Sequence, residues 1–406
     1  MIELVQYRNF QTLRNVDVKL GRLTVLAGPN ASGKTSALRG VEFLTALVAE
    51  AAAKRSYDPP WLRDLPTAGT SERQLTVSLQ GVWGEPGSVT FEYESNEPIE
   101  FLLSKATWGN DEFDLYEAKT PEVPQQLNLL KRVLTSTSTL RIDPARCAEP
   151  SAAEGPTTTI GTDGSGLAAV LAEMLVSQSG SFEFLTECLR SVFPAIDRVR
   201  LRRAQVPPPK GSSAPAQWGY EVQLSSKRGG TLPARLAGDG TLLVLALLAV
   251  ILGPDRPRIV LFDDLERGLT PTVQTALVRC LRLLLDRFGD LQILTTSRSP
   301  SVLDHFERYE VRLLGFDENG KVWCASPDEG PSYEAWQTQM ASLTPPPPRR
   351  PGTKRRPRRA RNTLRRARQG LCSSHGPERP LVCALRRPHR RRVRRARGPI
   401  SGDAPG

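Results

Sequence analysis

Hydrophobic positions along this chain follow two patterns. Apolar runs occupy residues 242–252 and 259–262 without a break, and residues 23–27 with only Thr24 interposed. Such runs predict elements buried on every side, as strands of a parallel sheet or as a central helix. The run at 242–252 is too short to span a bilayer, which takes about 20 residues, so it predicts a buried helix. Downstream of the first run, Ala37, Leu38, Val41 and Leu44 fall on one helical face. A second helix is predicted over 271–288, with Thr270 as N-cap and Pro271 in the first turn. Its inner face carries Val273, Leu277, Cys280 and Leu284. A strand at 291–296 follows, then a hairpin pairing 309–316 with 321–325 around Asn319 and Gly320.

The middle of the chain changes character. Residues 74–83, 88–93 and 99–108 alternate apolar and polar positions between Gly/Pro/Asn turns, which predicts an antiparallel subsheet. Trp83 and Trp108 read as packing within it rather than as base-stacking platforms. Leu167, Val170, Leu171, Met174 and Leu175 then mark a helix, and residues 182–193 continue as another. Residues 199–206 and 220–224 are expected to pair across a loop at 207–215. Alternation places Arg198, Arg200 and Arg202 on one strand face, either a solvated face or a stripe for phosphates. Heptads are absent, so no coiled coil is expected.

Two of the apolar strands end in chemistry. The strand at 23–27 runs into Gly28-Pro29-Asn30-Ala31-Ser32-Gly33-Lys34-Thr35, the pattern G-x4-G-K-[ST]. Glycines allow backbone N–H groups to wrap a phosphate, and the following helix N-terminus adds positive potential. Lys34 is expected at the β and γ phosphates of ATP, and the Thr35 hydroxyl on Mg²⁺. The strand at 259–262 runs into Asp263-Asp264-Leu265-Glu266. An acid at the C-terminal edge of a buried strand stands where doubly wound sheets hold ligands. Asp263 is the expected second Mg²⁺ group and Asp264 the base for the attacking water, with Glu266 as its substitute.

The order of phosphate loop, Gly-rich Ala237-Gly238-Asp239-Gly240-Thr241, apolar helix and acidic strand resembles the ABC-type ATPase heads of the RecF/SMC/OLD-like group. The opening Met1-Ile2-Glu3-Leu4 with Tyr7-Arg8-Asn9-Phe10 is similar to that group's first strand and "NF" turn. Arg267-Gly268-Leu269-Thr270-Pro271 resembles its "GLHP" segment, and Thr295-Thr296-Ser297-Arg298-Ser299-Pro300 its "TTHSP" switch. The resemblance implies an α/β P-loop fold with a mixed, largely parallel sheet, an antiparallel β-subdomain and a helical insertion. It also implies an ATP-dependent homodimer in which the N–H groups of Gly238, Asp239, Gly240 and Thr241 cap the γ phosphate bound by the other protomer. The partners implied are DNA or RNA and an effector protein.

Three positions depart from the group. Gly238 stands where the signature carries Ser, Asp264 where the catalytic Glu is usual, and Arg298 where His is usual. An Arg can neutralise γ-phosphate charge but cannot exchange protons near neutral pH. Shortening Glu to Asp withdraws the carboxylate by more than an ångström, and such a misplacement can cost about a hundredfold in rate. A slow ATPase and a non-hydrolysing nucleotide switch are therefore both consistent with the sequence. The missing signature Ser, the "NF" turn and the GLTP segment argue against a transporter ATPase.

Charge divides the chain. The net charge is +12, but residues 344–406 hold 20 Lys/Arg against Glu378 and Asp403, leaving residues 1–343 at −6. This Arg/Pro-rich tail cannot bury a core and is expected to be disordered. It reads equally as an electrostatic arm for nucleic acid and as an out-of-frame extension. Six cysteines without a C-x-x-C pair form no zinc or disulfide framework. No signal peptide or membrane span is apparent, so a cytoplasmic protein without a membrane partner is expected. The predicted organisation is an ATPase core at 1–55 and 232–343, an inserted β-subdomain and helical arm at 56–231, and the tail.

Overall fold

The computed structural model describes residues 1–52, 74–94, 100–114, 125–152, 158–177, 179–208 and 215–329, with Trp336 and Thr338. The basic tail lies outside the described residues, as do residues 209–214 of the predicted 207–215 loop.

The chain opens with β1 (Ile2–Phe10), β2 (Leu13–Lys19), β3 (Leu23–Ala27) and helix α1 (Lys34–Ala52). Four strands follow: β4 (Gln74–Val82), β5 (Pro86–Glu94), β6 (Glu100–Trp108) and β7 (Asp111–Asp114). Helix α2 (Gln125–Leu134), strand β8 (Thr137–Leu140) and the single turn α3 (Pro144–Cys147) lead to α4 (Leu167–Val176) and α5 (Ser181–Val192). A ribbon of β9 (Ile196–Val206), β10 (Gln217–Ser226) and β11 (Thr231–Pro233) precedes α6 (Asp239–Leu252) and β12 (Ile259–Phe262). Then come α7 (Pro271–Arg287), β13 (Gln292–Ser297), the short α8 (Pro300–Leu303), β14 (Val311–Phe316) and β15 (Val322–Ala325).

The central sheet has the order β15-β14-β3-β13-β12-β8. Its five strands from β14 to β8 are parallel, and β15 closes one edge antiparallel. Successive side chains on a strand point to opposite faces, and both faces of β12 are covered. Ile259 and Leu261 join one core with α1, β1 and β4, while Val260 and Phe262 join the other with α5, α6 and α7. This double coverage is why residues 259–262 read as an unbroken apolar run. All eleven residues from Leu242 to Leu252 are buried, so a helix apolar on every side is the packing solution for that run.

The antiparallel strands extend further than the alternation suggested. The second sheet has the order β2-β1-β4-β5-β6-β7, so the chain's opening pair continues into the 74–114 strands. Trp83 and Trp108 stack with ring centroids 6.3 Å apart and pack against that sheet's core. Strand β8 was not apparent from the pattern, although it lies inside the predicted insert and pairs with β12 in the central sheet. Its sequence, TSTL, is hydroxyl-rich, and Thr137 Oγ1 donates to Leu134 O at 2.6 Å while Ser136 Oγ accepts from Arg258 N at 2.9 Å. Such hydroxyls satisfy their own neighbourhood and leave no strand-like apolar signature.

Smaller differences have local causes. The predicted strand 309–316 begins at Val311, because Arg308–Glu310 forms a 3₁₀ turn closed by a Glu307/Glu310 capping box. The predicted pairing of 199–206 with 220–224 is present within β9 and β10, with Arg198, Arg200 and Arg202 exposed on one face. Cys280 is buried in the core as expected. Gln292, polar and only 1% exposed, is tolerated at the start of β13 because its amide is fully engaged. It accepts from Ile2 N at 3.0 Å and donates to Ile2 O at 2.7 Å and Gly21 O at 2.9 Å, tying β1 to the central sheet. Among the described residues no helix is long and apolar enough to cross a membrane.

The packing separates two otherwise identical substitutions. Leu245→Ala, on fully buried α6, should lower unfolding free energy by about 2–5 kcal/mol in urea denaturation. Leu283→Ala, on the exposed side of α7, should change it by less than about 0.5 kcal/mol. Equal effects would contradict the burial assigned to α6.

Candidate nucleotide site

Residues 28–35 connect the C-terminal end of β3 to the first turn of α1. The loop closes tightly, and its glycines are where space is missing. A Cβ on Gly28 would lie 2.5 Å from Ser32 Oγ and 2.7 Å from Leu314 O. Gly33 has φ +87, and a Cβ there would meet Leu13 Cδ2 at 2.4 Å, so the turn between β1 and β2 sits against the loop. That turn is held by Asn9, whose Nδ2 donates to Gln74 O at 2.9 Å. Lys34 is buried at 6% exposure, and its Nζ donates to Gly28 O at 2.8 Å and Pro29 O at 2.7 Å. Its ammonium therefore spans the loop from within. Ser32 Oγ is buried and has no hydrogen-bond partner.

The acidic end of β12 lies beside this loop. Thr35 Oγ1 donates to Asp263 Oδ2 at 2.9 Å. The other carboxylate oxygen, Asp263 Oδ1, accepts from Thr296 Oγ1 at 2.5 Å. Thr296 Oγ1 also accepts from Asp264 N at 2.8 Å. Thr296, within the switch-like segment, thus joins the site although its sequence motif does not mark it as a site residue. A hydroxyl residue at the C-terminal end of an apolar strand is placed to meet the neighbouring strand's acid.

Asp264 leaves the strand with φ +58, in the left-handed region, uncommon for a residue with a Cβ. This bend turns its carboxylate toward Arg298, which pairs with it at both oxygens: Nε to Oδ1 at 3.0 Å and Nη2 to Oδ2 at 2.5 Å. Glu266 Oε1 accepts from Arg298 N at 2.6 Å, and Glu266 Oε2 is buried without a partner. The candidate base, its substitute and the switch Arg thus form one cluster.

The signature segment is not part of this cluster. Gly238 is the N-cap of α6 and is exposed with Asp239. Gly240 packs against the GLTP turn, where an added Cβ would lie 2.4 Å from Gly268 O. No hydrogen bond or ion pair among the described residues joins Gly238, Asp239 or Gly240 to residues 28–35. Thr241 departs from the expected role, because its N–H is turned back to Gly238 O at 2.9 Å. A helix's first turn commonly spends its third N–H in this way.

The residues present fit a magnesium nucleotide. Thr35 and Asp263 offer the hard oxygen donors that Mg²⁺ takes together with phosphate oxygens, and the unpartnered Ser32 hydroxyl lies within the loop that would cradle those phosphates. Bound there, Mg²⁺ would neutralise charge on the phosphates.

Burial, and then the nearby Arg298 charge, lower the Lys34 pKa from 10.5 to about 8. A cation whose folded pKa lies below its unfolded value destabilises the fold while it stays charged. That penalty fades as pH rises from about 8 toward 10.5. The nucleotide-free protein should therefore gain stability across this window relative to a Lys34→Met variant, read as urea midpoints at stepped pH. Parallel pH profiles for the two proteins would rule this out.

Comparison with known proteins agrees with the geometry. A family model described as "AAA domain, putative AbiEii toxin, Type IV TA system" matches residues 171–304. An OLD nuclease of Thermus scotoductus (strain ATCC 700910 / SA-01) is 41% identical over 44 residues, which is 11% of this chain and 8% of that protein. An SMC head, solved bound to the C-terminal winged-helix domain of ScpA, superposes with a TM-score of 0.53 at 13% identity. The superposition covers 83% of this chain and 99% of the SMC head, and at that identity the likeness is one of fold. The SMC head domain from Thermotoga maritima aligns over 80% of this chain and 98% of its own, with 12% identity and a TM-score of 0.45. In its motifs, in the family model matched over residues 171–304 and in its fold, the chain is similar to the ABC-type P-loop ATPases of the RecF/SMC/OLD-like group.

Proposed function

We propose that the chain binds ATP with Mg²⁺ at residues 28–35, hydrolyses it slowly, and uses ATP-dependent homodimerisation to control a nucleic-acid-related or defence-related partner. One observation carries this reading. Three segments far apart in sequence converge at the C-terminal ends of the adjacent strands β3, β13 and β12, through Thr35, Thr296 and Asp263. The loop backbone and Lys34 would bind the β and γ phosphates, and Thr35 with Asp263 would hold Mg²⁺. Water oxygen bonds to the γ phosphorus as the bond to the bridging oxygen breaks, its electron pair leaving with ADP. Asp264 takes the water's proton.

The homodimer is supported by the exposure of Gly238 and Asp239 at the start of α6, which among the described residues make no hydrogen bond to the chain's own phosphate loop. A partner protein is suggested by the SMC head, whose solved complex contains a domain of ScpA, and a nucleic-acid link by the OLD nuclease's name. The alternative of a non-hydrolysing switch is favoured by the Arg298–Asp264 pair, which occupies the proposed base.

Steady-state hydrolysis by the full chain, with nucleotide binding and sedimentation alongside, tests the proposal. Lys34→Ala should abolish binding and turnover together. Asp264→Ala should not weaken binding and should slow turnover by about a hundredfold or more. Binding without any turnover in the unaltered chain would select the switch, and no ATP binding would end the proposal. Gly238 offers a second check, since a Cβ there meets nothing within 4 Å and its φ of −68 suits any residue. Gly238→Ser should strengthen ATP-driven dimerisation by adding a hydroxyl donor; an unchanged dimer constant would remove Gly238 from the interface.

A further inference from the structure

The Arg298–Asp264 pair has a geometry that suggests more than a departure from the group's usual residues. This inference rests on the nucleotide reading above and deepens it. We infer that Arg298 and Asp264 form a latch that the γ phosphate of ATP opens. Without a γ phosphate the guanidinium holds the carboxylate. With one, Arg298 moves to the phosphate and Asp264 is freed to receive the proton.

Four features support the exchange. The guanidinium engages both oxygens of Asp264, so the carboxylate cannot serve as a base while the pair stands. Neither side chain is deeply buried, with exposures of 51% for Arg298 and 27% for Asp264, so opening the pair exposes no orphaned core charge. Half-exposed pairs of this kind are weak enough to be displaced by a stronger anion. A terminal phosphate is such an anion, since it fits the same planar fork bidentately and carries the greater charge.

The third feature is that both backbones are pinned. Asp264 N donates to Thr296 Oγ1 at 2.8 Å, and Arg298 N donates to Glu266 Oε1 at 2.6 Å. Each partner is anchored by a residue from the other's segment. Exchange then needs only side-chain rotation, with the two loops held in place. Glu266 emerges as a positioning residue, holding the switch backbone rather than contacting the water. The fourth feature is location. Arg298 lies near enough to Lys34 for its charge to act on the lysine, so both cations approach the place where the terminal phosphates would lie.

The latch predicts discrimination by the γ phosphate. ADP lacks the group that recruits Arg298, so it leaves the pair closed. Arg298 in place of His thereby makes release of the base conditional on a complete substrate.

Isothermal titration of the full chain with Mg²⁺ and either ADP or a non-hydrolysable imido analogue of ATP tests the latch. Asp264→Asn removes the charge that competes for Arg298. It should tighten analogue binding about fivefold, the worth of a half-exposed ion pair, and leave ADP binding unchanged. Arg298→Ala should erase the preference for the analogue over ADP, and Arg298→Lys should reduce it, since an ammonium cannot bridge two oxygens. The latch is overturned if Asp264→Asn shifts both nucleotides equally or neither, or if Arg298→Lys keeps the full preference. Lys34→Ala serves as the separate control. If the unaltered chain binds neither nucleotide, or Lys34→Ala binds as well as it does, the nucleotide reading itself fails.

Discussion

The carboxylate of Asp263 is where this structure is joined. One oxygen receives the hydroxyl of Thr35 from α1 and the other the hydroxyl of Thr296 from β13. Three segments separated by more than 200 and about 30 residues therefore share one acidic group. A buried or half-buried carboxylate must have its oxygens satisfied, and these two hydroxyls do so without neutralising its charge. The geometry holds only if β3, β13 and β12 lie side by side in register, which the central sheet provides.

Electrostatics around that group are closely balanced. Lys34 and Arg298 supply two positive charges, and Asp263, Asp264 and Glu266 three negative ones. Burial presses on the Lys34 ammonium more strongly than any single neighbour, yet its hydrogen bonds to Gly28 O and Pro29 O keep it inside the loop. An anionic ligand would relieve both cations at once. The strained exit of the chain at Asp264, φ +58, is consistent with a site where backbone strain is retained for chemistry.

Helix α6 connects this site to the rest of the molecule. Its first turn presents Gly238 and Asp239 to the exterior, while Gly240 fits against Gly268 where no side chain could be accommodated. Gly268 follows the acidic strand by a few residues, so the start of α6 packs closely against the turn that leaves the acidic end of β12. The remainder of α6 is buried in apolar surroundings, which leaves it little freedom to move independently of the sheet.

Much of this was determined by the sequence alone. The phosphate loop, the acidic strand, the buried helix at 242–252 and the hairpin near the end of the described chain are set by local patterns: glycine spacing, apolar runs and an Asn-Gly turn. These depend on short-range sterics and on whether an element is covered on one face or two. Tertiary structure alone decided the rest. Residues 137–140 form a core strand because β12 lies beside them, despite a hydroxyl-rich sequence with no apolar rhythm. The sheet of β1 and β2 runs on into β4 because strand pairing is made across the fold rather than along the chain. Thr296 acquires its importance from a carboxylate 33 residues away, and Arg298 from the two acids facing it across the strand ends. Hydrogen bonds and ion pairs between distant segments have no period in sequence, and only the folded chain brings their partners together.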